Sequence, residues 1–132
     1  METTNDLFLG GQVTALQPAK GYRAGIDAVL LAASVPAKAG ETVLELGCGV
    51  GVASLCLAAR VEGVEITGVE LQPEYAALAE KNGLTVVNAD LRALPADLRN
   101  RQFTHVMMNP PYFDRAAGSA HHPNPTQYGQ RL

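Results

Sequence analysis

From residue 42 onward the apolar residues fall in short blocks separated by glycine and proline, and the period changes from block to block. Thr42-Val43-Leu44-Glu45-Leu46 has the length and composition of a buried strand. Val52, Leu55, Cys56 and Ala59 then follow at the spacing of one helix face. Glu65 to Glu70 predicts a second strand. Pro73 at the first helical position and Gly83 just past the end bracket a second helix, with Tyr75, Leu78, Ala79 and Asn82 on its inner face. Leu84 to Asn88 reads as a third strand and Pro95 to Asn100 as one or two helical turns. Phe103 to Met108 reads as a fourth strand that runs into Asn109. Strands alternating with helices predict an α/β domain with a mostly parallel sheet and right-handed crossovers.

The segments on either side have other patterns. Leu7 to Leu16 predicts a short hairpin, with Gly10-Gly11 supplying the positive φ angles of a two-residue turn. Pro18 to Gly25 reads as loop, and Ile26 to Ser34 as a buried helix stopped by Pro36. Beyond Tyr112 the chain is rich in Gly, Ser, Pro, Asn and His. It shows no period, so residues 113–132 are expected to form a loop or an untethered tail after an ordered unit of residues 1–112. His121-His122 then reads as a solvated pair within that tail.

Composition narrows the class. At 132 residues the chain has room for one domain, and 47% hydrophobic against 17% charged residues excludes a disordered chain. No apolar run reaches the ~20 residues that span a bilayer. Met1 to Asp6 is polar and carries no secretory pattern, so no membrane association is expected. Cys48 and Cys56 match no metal-ligand spacing and read as buried thiols in a reducing cytoplasm. No metal is expected. The net charge of −3 lacks the basic balance of a protein that grips nucleic acid unaided.

The candidate chemistry lies at strand ends, where ligands bind in open α/β sheets. Gly47, Gly49 and Gly51 let the chain turn sharply and bring backbone N–H groups and a helix N-terminus up to a ligand. Glu70 closes the second strand 19 residues after Gly51, a placement that suits the two hydroxyls of a ribose. Asp90 follows the third strand and can accept from an adenine amine. Val52 follows Gly51, so the spacing departs from the dinucleotide pattern Gly-x-Gly-x-x-Gly. An NAD-dependent oxidoreductase fragment stays open as an alternative from a different class.

Glu45-Leu46-Gly47-Cys48-Gly49-Val50-Gly51, Glu70, Asp90 and Asn109-Pro110-Pro111-Tyr112 together resemble the class I S-adenosylmethionine-dependent methyltransferases. Within these the chain is similar to the "small domain" group that includes bacterial tRNA-valine adenine-N6 methyltransferases. Gly21 to Leu31 is similar to that group's segment before the first strand, and the resemblance runs from Leu7 to Tyr112. It implies a Rossmann-like fold with S-adenosyl-L-methionine as cofactor. Gly47, Gly49 and Gly51 would line the methionine and ribose, Glu45 would lie near the methionyl ammonium, Glu70 at the ribose and Asp90 near the adenine. Asp27 would flank the cofactor.

The Asn-Pro-Pro-Tyr motif fits transfer to a planar amine, whose lone pair is delocalised and needs help to become pyramidal. The Asn109 side-chain oxygen and the Pro110 carbonyl can each accept one N–H and so stabilise charge developing on nitrogen. Tyr112 can stack on a base. No general base is required, because the amine becomes acidic once methylated. The expected acceptor is adenine N6 in tRNA, with a glutamine side-chain amide of a protein as the alternative.

The resemblance further implies seven strands in the order 3-2-1-4-5-7-6, of which four are identifiable here. The C-terminal strands are therefore expected to be missing. Phe103 to Met108 would then form an exposed apolar edge prone to self-association. On that reading the chain is an inactive cofactor-binding fragment when alone.

Overall fold

A computed structural model describes residues 1–110 of the chain. Tyr112, the 113–132 tail and His121-His122 lie outside the described residues.

The chain opens with β1 (Thr3–Phe8) and β2 (Val13–Pro18), an antiparallel hairpin in which Thr3 pairs with Pro18 and Phe8 with Val13. It starts earlier than the sequence pattern predicts and its turn is longer. The Phe8–Val13 pairing leaves four residues, Leu9 to Gln12, and they form a 3-10 turn with Leu9, Gly10 and Gly11 all at positive φ. The two-residue Gly10-Gly11 turn is thus corrected. Helix α1 (Ile26–Ser34) comes next. Only Ala28 and Ala32 of it are buried, whereas Ile26 and Leu30 are 70% and 61% exposed, so the buried helix expected here covers the core with one face alone.

The remaining elements alternate: β3 (Thr42–Leu46), α2 (Val52–Arg60), β4 (Glu65–Glu70), α3 (Pro73–Lys81), β5 (Thr85–Asn88), the short α4 (Ala96–Arg99) and β6 (His105–Met108). The four later strands form one parallel sheet in the order β5-β4-β3-β6, which is the 3-2-1-4 part of the expected order. Leu84 and Phe103-Thr104 fall outside strands. At the start of β6 the Thr42 and Thr104 hydroxyls each accept the other residue's backbone N–H, at 3.0 and 3.1 Å, in place of a ladder bond. A 3-10 turn over Leu91–Ala93 was not predicted.

The sheet is covered on both faces. The larger core joins Val13 and Ala15 of the hairpin, Ala28 and Ala32 of α1, Val43 of β3, Val52, Cys56 and Leu57 of α2, Leu78 of α3 and Met107 of β6. The smaller joins Leu44, Val69 and Leu98, with Val87, Leu91 and Phe103 against them. Burial on α2 differs from the predicted stripe. Val52, Ala53, Ser54, Cys56 and Leu57 are buried while Ala59 is exposed, because the first turns are enclosed by neighbouring elements and the last turn emerges from them.

Asn82 ties three parts of the chain together. Its Oδ1 accepts the Leu16 N–H at 2.8 Å, and its Nδ2 donates to the carbonyls of Leu16 and Val50 at 3.1 and 2.9 Å. This single amide docks the hairpin and the glycine loop onto the end of α3. Among the described residues strand β6 pairs only with β3, and Val106 and Met108 are 58% and 38% exposed. No helix among the described residues is long and apolar enough to cross a membrane.

Candidate active site

In-register parallel pairing brings the C-terminal ends of the strands to one side. Leu46 stands opposite Val69 and Met108, and Glu70 opposite Asn88. Gly47, Leu71, Ala89 and Asn109 therefore leave the sheet together. A cavity of about 710 Å³ opens there, within the ~300–1,000 Å³ typical of small-molecule sites. Its lining includes Glu45, Gly47, Gly49, Gly51, Glu70 and Asn109, so six predicted site residues converge on one space.

The glycine loop is shaped by its backbone. The N–H groups of Gly47 and Cys48 both donate to the Val69 carbonyl, which pins the loop across the end of β4. Gly51 then starts α2 at φ +95, and a Cβ there would lie 1.9 Å from Leu84 Cδ1. The positive φ requires glycine at this position, and a Cβ would also push the Leu84 side chain aside. The N-terminus of α2, with its partial positive charge, consequently borders the cavity.

Two buried carboxylates face this positive end. Glu70 is 0% exposed; its Oε1 accepts the Gly49 N–H at 2.8 Å and its Oε2 the Gln72 N–H at 2.9 Å. The Leu71 N–H is a third backbone donor to this carboxylate, which keeps acceptor capacity beyond its backbone partners. Burial raises the Glu70 pKa, against the lowering effect of its backbone donors. Glu45 is 2% exposed and accepts from Ser54 Oγ at 2.6 Å. Burial pushes its carboxyl up to about 8, only partly opposed by Ser54 and reinforced by the charge of Glu70. Cys48, in the loop between them, is a buried thiol whose pKa burial raises, so it carries no thiolate for chemistry.

Asn109 leaves β6 at the mouth of the cavity, half-buried, and is followed by the exposed Pro110. Its Nδ2 donates to Asp27 Oδ2 at 3.0 Å. Asp27 is not among the lining residues; the structure gives it a partner in Asn109 in place of a position on the cavity wall. Asp90 is outside the lining as well. Its carboxylate accepts from the Arg92 N–H and pairs with the Arg92 guanidinium at 2.7 Å, and these bonds lower its pKa to about 2.

Other lining residues escaped the sequence reading. Gln17, 2% exposed at the end of the hairpin, donates to Asp6 and accepts the Ala24 N–H. Tyr75 lends its hydroxyl to the Tyr22 N–H at 3.1 Å, and both rings line the cavity. The one available signal was Tyr75 on the inner face of its helix, where a large polar-tipped ring asks for a partner. Among the described residues no group of three or more His, Cys, Asp or Glu converges as a metal site.

The chain is similar to known proteins. The methyltransferase-domain family matches residues 43–121. A tRNA1(Val) (adenine(37)-N6)-methyltransferase of Dickeya chrysanthemi is 37% identical over 99 residues, covering 69% of this chain and 39% of that protein. The enzyme of the same name from a Flavobacteriaceae bacterium is 33% identical over 106 residues, covering 76% and 46%. The chain thus spans less than half the length of these curated relatives. Among solved structures, a protein described as a predicted O-methyltransferase from Agrobacterium tumefaciens superposes with a TM-score of 0.57 at 32% identity, covering 65% of this chain and 49% of its own. Sheet order, glycine loop, strand-end acid and sequence match agree: the chain belongs to the methyltransferase-domain family, in the class I, S-adenosylmethionine-dependent division.

Proposed function

We propose that the chain binds S-adenosylmethionine in the strand-end cavity and serves methyl transfer to a planar amine nitrogen, adenine N6 of a tRNA. The observation that carries this reading is Glu70. It is a wholly buried carboxylate on the cavity wall, its two oxygens oriented by the backbone N–H groups of Gly49, Gln72 and Leu71. Two adjacent ribose hydroxyls match that pair of acceptors. Glu45 would lie by the methionyl ammonium, and Gly47, Gly49 and Gly51 would leave room for the methionine and ribose. Asp90 would accept from the adenine amine in exchange for Arg92. When bound, the cofactor supplies an electrophilic methyl group on a sulfonium.

The chain's own contribution to transfer is alignment. Asn109 Oδ1 and the Pro110 carbonyl accept the two N–H groups of the acceptor amine and stabilise the charge that grows on nitrogen. Tyr112, outside the described residues, would stack on the base. The names of the curated relatives support tRNA as substrate, and a cytoplasmic location goes with it. Because the net charge is −3, RNA contacts would come from surface beyond the strand-end site. The apolar edge at β6 would support self-association.

Calorimetry tests the cofactor assignment. S-adenosylhomocysteine is expected to bind and NAD to give no heat. Glu70→Ala is expected to weaken binding by about 1.5–3 kcal/mol, the worth of hydrogen bonds to a charged group. Equal affinity of wild type and variant, or preference for NAD, defeats the assignment.

A further inference from the structure

We infer that Asp27 is a positioning residue, whose carboxylate holds the Asn109 amide so that Oδ1 is the atom offered to the acceptor nitrogen. The inference rests on the role proposed above for Asn109. An asparagine amide is nearly symmetric in shape, and turning it over exchanges a donor for an acceptor at almost no steric cost. Only its partners decide which atom faces the substrate. A carboxylate accepts and cannot donate, so Asp27 Oδ2, 3.0 Å away, admits Nδ2 and rejects Oδ1. Oδ1 is then left for an incoming N–H. Among the described residues it has no donor.

The surroundings favour this use of Asp27. It lies in the first turn of α1, where the helix dipole stabilises a negative charge. Gly25, just before the helix, leaves it space: a Cβ at that position would stand 3.3 Å from Asp27 Oδ1. Asn109 comes from the far end of the sheet, 82 residues away in sequence, so the pair spans two regular elements. The negative charge also polarises the amide and strengthens Oδ1 as an acceptor for a nitrogen turning cationic. The same geometry explains why asparagine stands at 109. An aspartate there would bring two carboxylates to hydrogen-bond distance, and one would have to hold a proton or turn away.

Nuclear magnetic resonance of the full chain labelled with 15N-asparagine tests the pair directly, with the Asn109 side-chain signals identified by their loss in Asn109→Ser. In the wild type the two Nδ2 protons are expected to be well separated. In Asp27→Ala the separation collapses, while the affinity for S-adenosylhomocysteine stays within threefold. Asp27→Glu restores part of the separation. In methyl-transfer assays Asp27→Ala is expected to lower kcat about 10- to 100-fold at unchanged KM for S-adenosylmethionine. Asn109 signals identical in wild type and Asp27→Ala overturn the inference, whether or not the chain alone turns over. Loss of S-adenosylhomocysteine binding in the wild type would instead strike the cofactor assignment and leave the amide result standing.

Discussion

Replacing Glu45 by glutamine should flatten the dependence of stability on pH. Glu45 is 2% exposed, and burial moves its carboxyl from an ordinary 4.5 to about 8. Between these values the folded chain keeps a proton that the unfolded chain has released. Stability contributed by this proton is complete below pH 4.5 and is lost as pH rises through about 8. At 1.36 kcal/mol per pH unit the interval is worth a ceiling of about 5 kcal/mol. That is a large share of the ~5–15 kcal/mol that holds a domain together. Glu45→Gln keeps a carbonyl oxygen for Ser54 and cannot ionise. Urea unfolding of both proteins at pH 5, 6, 7 and 8 measures the effect. Glu70 also has a raised pKa and is present in both chains, so the difference reports Glu45 together with its coupling to Glu70. The variant's advantage should grow by up to about 1.4 kcal/mol per pH unit and level off above pH 8. A difference that stays constant from pH 5 to 8 refutes the reasoning.

The same protonation predicts that an ammonium group arriving beside Glu45 expels its proton. Binding of S-adenosylhomocysteine at pH 7 should release up to one proton, seen as a dependence of calorimetric heat on the buffer's ionisation enthalpy that Glu45→Gln removes; no dependence in the wild type counts against the contact. Gly51→Ala should destabilise the fold by on the order of 1–2 kcal/mol through its positive φ alone, even if the Leu84 side chain shifts aside, and unchanged urea unfolding would contradict this. Val106→Lys places a charge on the exposed strand edge and should lower the weight-average mass in sedimentation equilibrium relative to wild type; equal masses would remove the edge as an association surface.

The parts of the fold that could be read from the sequence are those whose cause is local. The loop from Gly47 to Gly51 announces itself because a strand pattern ends and a helix pattern begins on either side of it. Glu70 is legible because an acid closes the second strand 19 residues after Gly51. The start of β1 was not, since Thr3, Asn5 and Asp6 carry no apolar alternation. That strand is held by polar bonds instead: Asp6 takes the Gln17 amide and the Arg23 guanidinium. Ala59 fitted the helix period, but a period says nothing about where a helix leaves its neighbours. Asn82 was legible only as a polar residue on an inner helix face, and Asp27 only as a residue flanking the cofactor. Their partners lie 66 and 82 residues away, and only the folded chain brings them together.

Asn82 also sets an order of events at the ribosome. The hairpin is made first, yet the amide that fastens it is made 66 residues after Leu16, roughly 3–13 s later at ordinary rates of synthesis. Until then Val13 and Ala15 lack part of the core that will cover them. The wall that Gln17 contributes to the cavity has nothing to close against. A newborn chain therefore carries an undocked hairpin past the synthesis of the glycine loop, and the wall it builds first waits on a residue made after α3.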